Sequence, residues 1–246
     1  MLPRDSGASI RRRVDYRAPA WLVDTLELAF DLDACATRVT AKLAFRRNPD
    51  AQGEDAVAPL VLDGEQQRDV RVELDGTPLA PDRMALGART LSVREPPASG
   101  TLTVHSVLAP EGNAALEGLY MSSGVFCTQC EPEGFRRITY FPDRPDVLSR
   151  YTVTIRADRA KYPVLLSNGN LVAEGALEGG RHFATWHDPF PKPSYLFALV
   201  AGELDALEDT FTTQSGKHVA LSIFSTPRNL PRCRHAMASL KRAFRW

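Results

Sequence analysis

Alternation of apolar and polar residues with a period of two is the feature that most constrains the fold of this chain. The pattern runs through five segments, residues 25–32, 39–45, 70–74, 101–107 and 151–155. Because successive side chains of a strand point to opposite faces of a sheet, each segment predicts a strand with one buried face. Strands buried on one face are typical of antiparallel sheets. The sequence therefore predicts a mainly β protein in which most strands are antiparallel.

Turn-forming dipeptides support the same fold class. The chain carries Asp63-Gly64, Asp75-Gly76, Asn168-Gly169, Gly179-Gly180 and Ser215-Gly216. Gly, Asn and Asp tolerate the positive φ angles that tight turns require. Asn168-Gly169 is flanked by two short apolar segments, residues 163–166 and 171–173. This pair therefore predicts a hairpin that joins the two segments.

The balance of charges excludes partners that a strong overall field would attract. The 246 residues include 30 Lys+Arg and 30 Asp+Glu, so the formal net charge is zero, and nothing draws the chain towards polyanions. The longest strongly apolar run, residues 195–202, is far shorter than the roughly 20 residues that cross a bilayer. We therefore expect neither nucleic acid nor membrane as a partner. The chain has only four cysteines, which favours reduced thiols and a cytoplasmic location.

The two-residue gap between Cys127 and Cys130 would suit two thiolates on one zinc ion. No second Cys pair or His-x3-His segment completes such a site, and the five histidines are scattered along the chain. We therefore expect either a local disulfide or two unlinked thiols. The sequence also has no Gly-x-Ser-x-Gly elbow and no phosphate-binding glycine loop, so it predicts no self-contained active site.

The segment at residues 127–137 has the character of a binding loop. It is dense in polar groups and lies between aromatic and apolar residues, which is how a rigid scaffold commonly presents such a loop. The carboxylate of Glu131, placed in a cleft, can pair with an ammonium ion. Such a pair is worth about 4 kcal/mol at 4 Å and an effective dielectric constant near 20.

Several long irregular segments carry a resemblance to a known family. The main ones are NAALEGLY at 113–120, CTQCEPEGFR at 127–136 and DRPDVL at 143–148. Supporting segments are DYRAP at 15–19, YPVLLSNGN at 162–170 and DPFPKPSYLFALVAG at 188–202. In this order they resemble bacterial aminopeptidase N, a zinc metallo-aminopeptidase family.

The resemblance implies a saddle-like antiparallel β-sandwich as the N-terminal domain. The first strands and first helix of a truncated thermolysin-like catalytic domain would follow. The implied units are a flexible N-terminus at residues 1–14, a β-saddle domain at 15–203 and the beginning of the catalytic domain at 204–246. A hairpin turning at Ser215-Gly216 is implied for residues 204–225.

Residues 229–246 predict a helix from their own spacing. Ala236, Met237, Leu240 and Phe244 lie at spacings of three and four residues, as on one helix face. From Ser225 onwards the chain has six Lys or Arg residues and no acid, a pattern that would also suit a helix binding nucleic acid or membrane. We expect the apolar face to pack on further helices of a longer protein.

The family holds its zinc with a His-Glu-x-x-His helix and a more distant Glu, and binds the substrate amine partly with a Gly-x-Met-Glu-Asn segment. Neither segment occurs in this sequence. The resemblance therefore implies an N-terminal fragment of a zinc aminopeptidase, with the Zn²⁺ ligands beyond Trp246. The isolated chain is expected to be inactive, and the remainder of the catalytic domain is its expected partner.

Two substrate-binding residues follow from the resemblance. The family's Gln-x-Glu contacts the first residue of the peptide, and here it corresponds to Gln129 and Glu131. A carboxylate aimed at the free α-amine binds the peptide through its N-terminus and fixes the scissile carbonyl one residue away. The alternative is a stand-alone, non-catalytic β-sandwich binding module that recognises a protein or a carbohydrate through the same loop.

Overall fold

A computed structural model of the chain describes residues 12–246. The flexible N-terminus predicted at residues 1–14 lies mostly outside the described residues. Residues 12–246 include no helix that is long and apolar enough to span a membrane.

Strands make up most of the regular structure. In chain order they are β1 Trp21–Asp31, β2 Thr37–Arg47, β3 Leu60–Asp63, β4 Arg68–Leu74, β5 Thr77–Pro78, β6 Met84–Leu86, β7 Thr90–Val93, β8 Ser99–Leu108, β9 Gly118–Ser122, β10 Val125–Gln129, β11 Ser149–Asp158, β12 Val164–Ser167, β13 Asn170–Ala176, β14 Arg181–Lys192, β15 Leu199–Gly202, β16 Asp205–Thr212 and β17 His218–Ser225. The α-helix is α1, Arg234–Arg245. Short 3₁₀ turns lie at Arg13–Asp15, Gly53–Val57, Pro81–Arg83, Pro110–Gly112, Phe135–Arg137, Glu178–Gly180, Ser194–Leu196 and Leu230–Cys233.

The strands of residues 12–246 form four sheets. The largest has eight strands in the order β13-β14-β11-β1-β2-β8-β4-β5, and the second has four in the order β12-β15-β10-β9. Strands β3, β7 and β6 form a third sheet, and β16 pairs with β17 alone. The five strands predicted from alternation lie in the largest sheet, so the prediction of a mainly β fold is confirmed.

One strand pair departs from the antiparallel pattern. Strand β1 is antiparallel to β2, with Leu26 opposite Leu43, but parallel to β11, with Leu26 opposite Tyr151. Every other strand pair in the described range is antiparallel. A parallel neighbour needs a long crossover, and strands β2 to β10 lie within that connection.

Aromatic packing joins the largest sheet to the loop that follows β10. Phe30 of β1 stacks on Phe197 with 6.1 Å between ring centroids. Phe135, in the 3₁₀ turn after the loop, lies edge-on to Phe197 at 5.4 Å and to Phe141 at 5.3 Å. All four rings are buried, and such pairs add about 0.5–1.5 kcal/mol each beyond area burial. The base of the loop is therefore part of the core.

The prediction of a hairpin at Asn168-Gly169 is wrong. Strand β12 pairs with β15 in the four-stranded sheet, whereas β13 pairs with β14 in the eight-stranded sheet. The Asn168 side chain instead donates to the carbonyl oxygen of Leu196 at 3.1 Å and accepts from the amide of Ala198 at 2.7 Å. The chain bends here and crosses between sheets, because the flanking strands find their partners elsewhere.

The hairpin predicted at residues 204–225 is present. Strand β16 pairs with β17 in antiparallel register, and the closing turn contains Ser215-Gly216. The assignment of this hairpin to a thermolysin-like domain, like the boundaries at 15–203 and 204–246, stays a prediction.

Helix α1 lies within the segment predicted to be helical and packs against this hairpin. Met237 is buried, and Phe244 stacks on Phe211 of β16 with 5.1 Å between centroids. Lys241 Nζ lies 2.7 Å from Asp209 Oδ2. Phe244 still exposes 44% of its surface, so the hairpin covers only part of the apolar face.

Gly169 should be far less replaceable than Gly76, although both have positive φ angles, of 89° and 78°. A Cβ atom at Gly169 would lie 2.3 Å from the carbonyl oxygen of His187, whereas one at Gly76 would meet nothing within 4 Å. We expect Gly76→Ala to lower the free energy of unfolding by about 1 kcal/mol. Gly169→Ala should lower it by more than about 3 kcal/mol, because steric overlap adds to the backbone strain. Urea denaturation measures both free energies of unfolding. Equal losses would contradict the close approach of Gly169 to His187 at the point where the chain crosses between the sheets.

Candidate functional site

The structure brings the two predicted binding residues together on one rim. Gln129 is the last residue of β10, and Glu131 follows it in an exposed loop. The Gln129 side chain donates from Nε2 to the backbone carbonyl of Glu131 at 3.2 Å. Both side chains are exposed. Whether they bind a substrate remains a prediction from the sequence.

An open groove of about 700 Å³ lies beside this rim. Its lining comes from three parts of the chain: the loop with Gln129, Glu131 and Glu133, the segment with Asp143 and Pro145, and the turn with Tyr195. Grooves of this size are typical of small-molecule and peptide sites. The rim residues therefore face a space that can hold the end of a peptide.

A close approach of backbone atoms gives the loop its shape. A Cβ atom at Gly134 would lie 2.4 Å from the carbonyl oxygen of Gln129. The Gly134 amide donates to the carbonyl of Cys130 at 2.8 Å. Only glycine fits this contact without a shift of the backbone. The loop therefore folds back on the end of β10 and keeps its tip compact.

A buried ion pair anchors the end of the loop. Asp143 Oδ2 accepts from the Arg136 amide at 3.2 Å and from Arg136 Nε at 3.0 Å, and the Asp143 carbonyl accepts from Nη2 at 3.3 Å. The Asp143 side chain is 1% exposed and that of Arg136 12%. Buried charges of this kind persist only when they are paired and hydrogen-bonded. The contacts with Asp143 therefore determine where Arg136 lies.

Carboxylates outnumber cations around this anchor. Arg136 Nη1 lies 3.3 Å from Glu133 Oε2, and Asp63 Oδ2 accepts from the Asp143 amide at 3.2 Å. Burial raises the pKa of Asp63 above its usual range, and Arg136 partly offsets that rise. Burial works against the charge on Arg136, but the Asp143 hydrogen bond and the nearby acids raise its pKa above the ordinary value.

Glu131 adds another acidic group to the groove that Glu133 and Asp143 line. Within the described residues Glu131 makes no ion pair. Its carboxylate is exposed at the edge of the groove. The rim therefore offers an uncompensated negative charge, which favours a cationic ligand.

The structure shows Cys127 and Cys130 as separate thiols. Of the two expectations, the unlinked thiols are therefore found. Cys130 is buried, and burial raises the pKa of its thiol. Among residues 12–246, no group of three or more His, Cys, Asp or Glu side chains could hold a metal ion.

Sequence reasoning missed three residues of this region, namely Asp143, Ser194 and Tyr195. The hydroxyl of Ser194 donates to Asp143 Oδ1, and Tyr195 lines the groove. Asp143 and Ser194 are 51 positions apart in the chain, so no local spacing links them. The available signal was an Asp that directly follows the apolar residues Tyr140, Phe141 and Pro142, because a carboxylate buried beside such residues requires partners.

Comparison with known proteins finds one matching family model and similar bacterial aminopeptidases. Residues 94–196 match the family model of the Peptidase M1 N-terminal domain. The chain is 55% identical over 232 residues to aminopeptidase N of Caulobacter vibrioides, a match that covers 94% of this chain and 26% of that protein. The resemblance to the N-terminal portion of bacterial aminopeptidase N is confirmed. The chain spans 26% of the length of that relative.

Solved structures agree with this fold. Legionella pneumophila aminopeptidase A in complex with aspartic acid superposes with a TM-score of 0.89 at 35% identity, covering 96% of this chain and 28% of that chain. An M1 zinc metallopeptidase mutant of Deinococcus radiodurans, bound to a Tyr-Ser-Ala substrate, gives a TM-score of 0.68 at 18% identity, covering 85% of this chain and 48% of that chain. The second match shows the fold alone.

Asp143→Asn should destabilise the protein far more than the same change at an exposed ion pair. The substitution leaves the Arg136 guanidinium buried without its main counter-ion, so we expect the free energy of unfolding to fall by about 3 kcal/mol. The control is Asp24→Asn, whose pair with Arg46 is 50% and 42% exposed and should cost at most about 1 kcal/mol. Chemical denaturation compares the two variants, and similar losses would show that Asp143 is no anchor.

Proposed function

We propose that this chain, whose residues 94–196 match the Peptidase M1 N-terminal domain, is the N-terminal part of a zinc-dependent aminopeptidase. The whole protein would hydrolyse N-terminal residues from peptides in the cytoplasm. This proposal rests on the similarity to aminopeptidase N, which covers 94% of the chain. The remainder of the catalytic domain would be the partner of this part.

Within that enzyme, the rim formed by Gln129 and Glu131 binds the α-ammonium group of the peptide. The single observation that carries this assignment is the Glu131 carboxylate, exposed beside the groove and unpaired within the described residues. A charge-assisted hydrogen bond from an ammonium to a carboxylate is about twice as strong as a neutral one. The Gln129 amide, which now contacts the Glu131 carbonyl at 3.2 Å, offers a further polar group to the same ligand.

Recognition of the amine also defines which bond is cut. Consecutive Cα atoms lie about 3.8 Å apart, so a fixed ammonium places the first peptide carbonyl within one residue of the rim. A peptide whose amine is blocked or lies further away cannot present that carbonyl in the same place. The loop therefore converts charge recognition into removal of a single residue, which is a positioning effect.

The residues that the structure describes, 12–246, do not fit a zinc site. Between residues 12 and 246 no cluster of metal-ligating side chains is found, and the sequence has no His-Glu-x-x-His segment. The ligands for Zn²⁺ would belong to the rest of the whole protein. We assign this chain a role in binding and orienting the substrate, and no bond-breaking step. The relative is much longer than the matched region, which favours this proposal over a stand-alone binding module.

Glu131→Gln in the whole protein should lower kcat/KM for an aminoacyl reporter substrate by about 30-fold to several hundred-fold. Losing the charge from a desolvated ion pair typically costs about 2–4 kcal/mol, and each 1.4 kcal/mol is a factor of ten. Glutamine preserves the shape of the side chain, so steady-state kinetics isolates the charge.

The matched control is Glu174→Gln on β13, an exposed Glu outside the groove, which should change kcat/KM by less than about twofold. An unchanged kcat/KM in Glu131→Gln, with the control also unchanged, would remove Glu131 from the substrate site.

The isolated 246-residue chain should show no peptidase activity with added zinc. The expectation follows from the missing metal-ligand cluster among residues 12–246. Fluorogenic aminoacyl substrates give a sensitive assay, and the whole protein is the positive control. Turnover that co-purifies with the 246-residue chain and disappears with a chelator would contradict the division of roles proposed above.

A further inference from the structure

We propose that Asp143 is a positioning residue that joins the two walls of the groove and sets the distance between the Glu131 rim and Tyr195. This inference rests on the proposed function and extends it to a part of the groove with no assigned role. The first wall is the loop from Gln129 to Glu133, and the second is the 3₁₀ turn Ser194–Leu196. Asp143 lies between them and contributes to the groove lining.

One oxygen of the Asp143 carboxylate belongs to the first wall. Oδ2 accepts two hydrogen bonds from Arg136, at 3.2 Å from the amide and 3.0 Å from Nε. Arg136 in turn reaches the loop tip, because its Nη1 lies 3.3 Å from Glu133 Oε2. The position of the loop is therefore coupled to the orientation of this carboxylate.

The other oxygen belongs to the second wall. Oδ1 accepts the hydroxyl of Ser194, a side chain that is almost completely buried. Ser194 is the first residue of the 3₁₀ turn that carries Tyr195, and Tyr195 lines the groove. Proline precedes Ser194 at position 193 and restricts the backbone that enters the turn. The Ser194 hydroxyl therefore ties the Tyr195 turn to the carboxylate that also holds the loop.

Burial strengthens the hydrogen bonds that the Asp143 carboxylate accepts from Arg136 and Ser194. The Asp143 side chain is 1% exposed, so water does not compete for its oxygens. Hydrogen bonds to an ionised group in such surroundings are short and strong. The backbone amide of Asp143 donates to Asp63 Oδ2 at 3.2 Å. This contact holds the backbone of Asp143 in place. A planar carboxylate held in this way fixes both walls at once.

The test removes the Ser194 contact, because Asp143→Asn would also leave Arg136 without its counter-ion. In the whole protein, Ser194→Ala should lower kcat/KM about tenfold, mainly through a higher KM. The same change made in the Glu131→Gln background should lower kcat/KM by less than about twofold. Non-additivity of this kind is expected when one residue acts through another.

The control variant is Ser149→Ala. Ser149 is also buried, and its hydroxyl donates to the carbonyl oxygen of Val23, which lies outside the groove lining. Ser149→Ala should leave kcat/KM within about twofold of the value for the unmodified protein, at a temperature where all variants are folded. A tenfold loss from Ser194→Ala in both backgrounds would overturn the positioning role, because a purely structural defect is additive.

Two further outcomes separate this inference from the proposed function. If Glu131→Gln shows its expected loss while Ser194→Ala retains full kcat/KM, only the positioning role of Asp143 is overturned. If Glu131→Gln retains full kcat/KM, the amine-binding role of the loop is overturned, and the positioning role that depends on it is overturned as well.

Discussion

The buried ion pair between Asp143 and Arg136 is the interaction on which the arrangement of the groove depends. Two side chains with little exposure hold opposite charges 3.0 Å apart, and neither could remain buried alone. The pair fixes the end of the loop that begins at Gln129, while Phe135 fixes the same loop through aromatic contacts with the core. An exposed tip is thus attached to a rigid base.

This separation of base and tip explains how the rim can act on a ligand. The Asp143 carboxylate is buried and already hydrogen-bonded to Arg136 and Ser194. Glu131, in contrast, is exposed and makes no ion pair within the described residues. Holding the tip in place before the ligand arrives reduces the entropy lost on binding. A charge presented on a fixed support is what the proposed recognition of a peptide ammonium group requires.

Local patterns in the sequence were sufficient where structure is local. Alternation predicted β1 and β2 because the buried face of a strand is determined by the alternating apolar residues of that strand itself. The hairpin at Asn168-Gly169 failed because turn chemistry shows where a chain can bend, not which strands will pair. Gln129 and Glu131 came from the family resemblance. The contact between Asp143 and Ser194 spans 51 positions, and no sequence spacing could indicate it.

A crystal structure of the whole protein with a bound peptide or free amino acid tests the central claim most directly. We expect the α-amine nitrogen to lie about 2.7–3.2 Å from a carboxylate oxygen of Glu131, the range of a direct hydrogen bond. An amine that is bound in the groove of the whole protein but contacts other groups, with Glu131 left in solvent, would contradict the proposed role of Glu131.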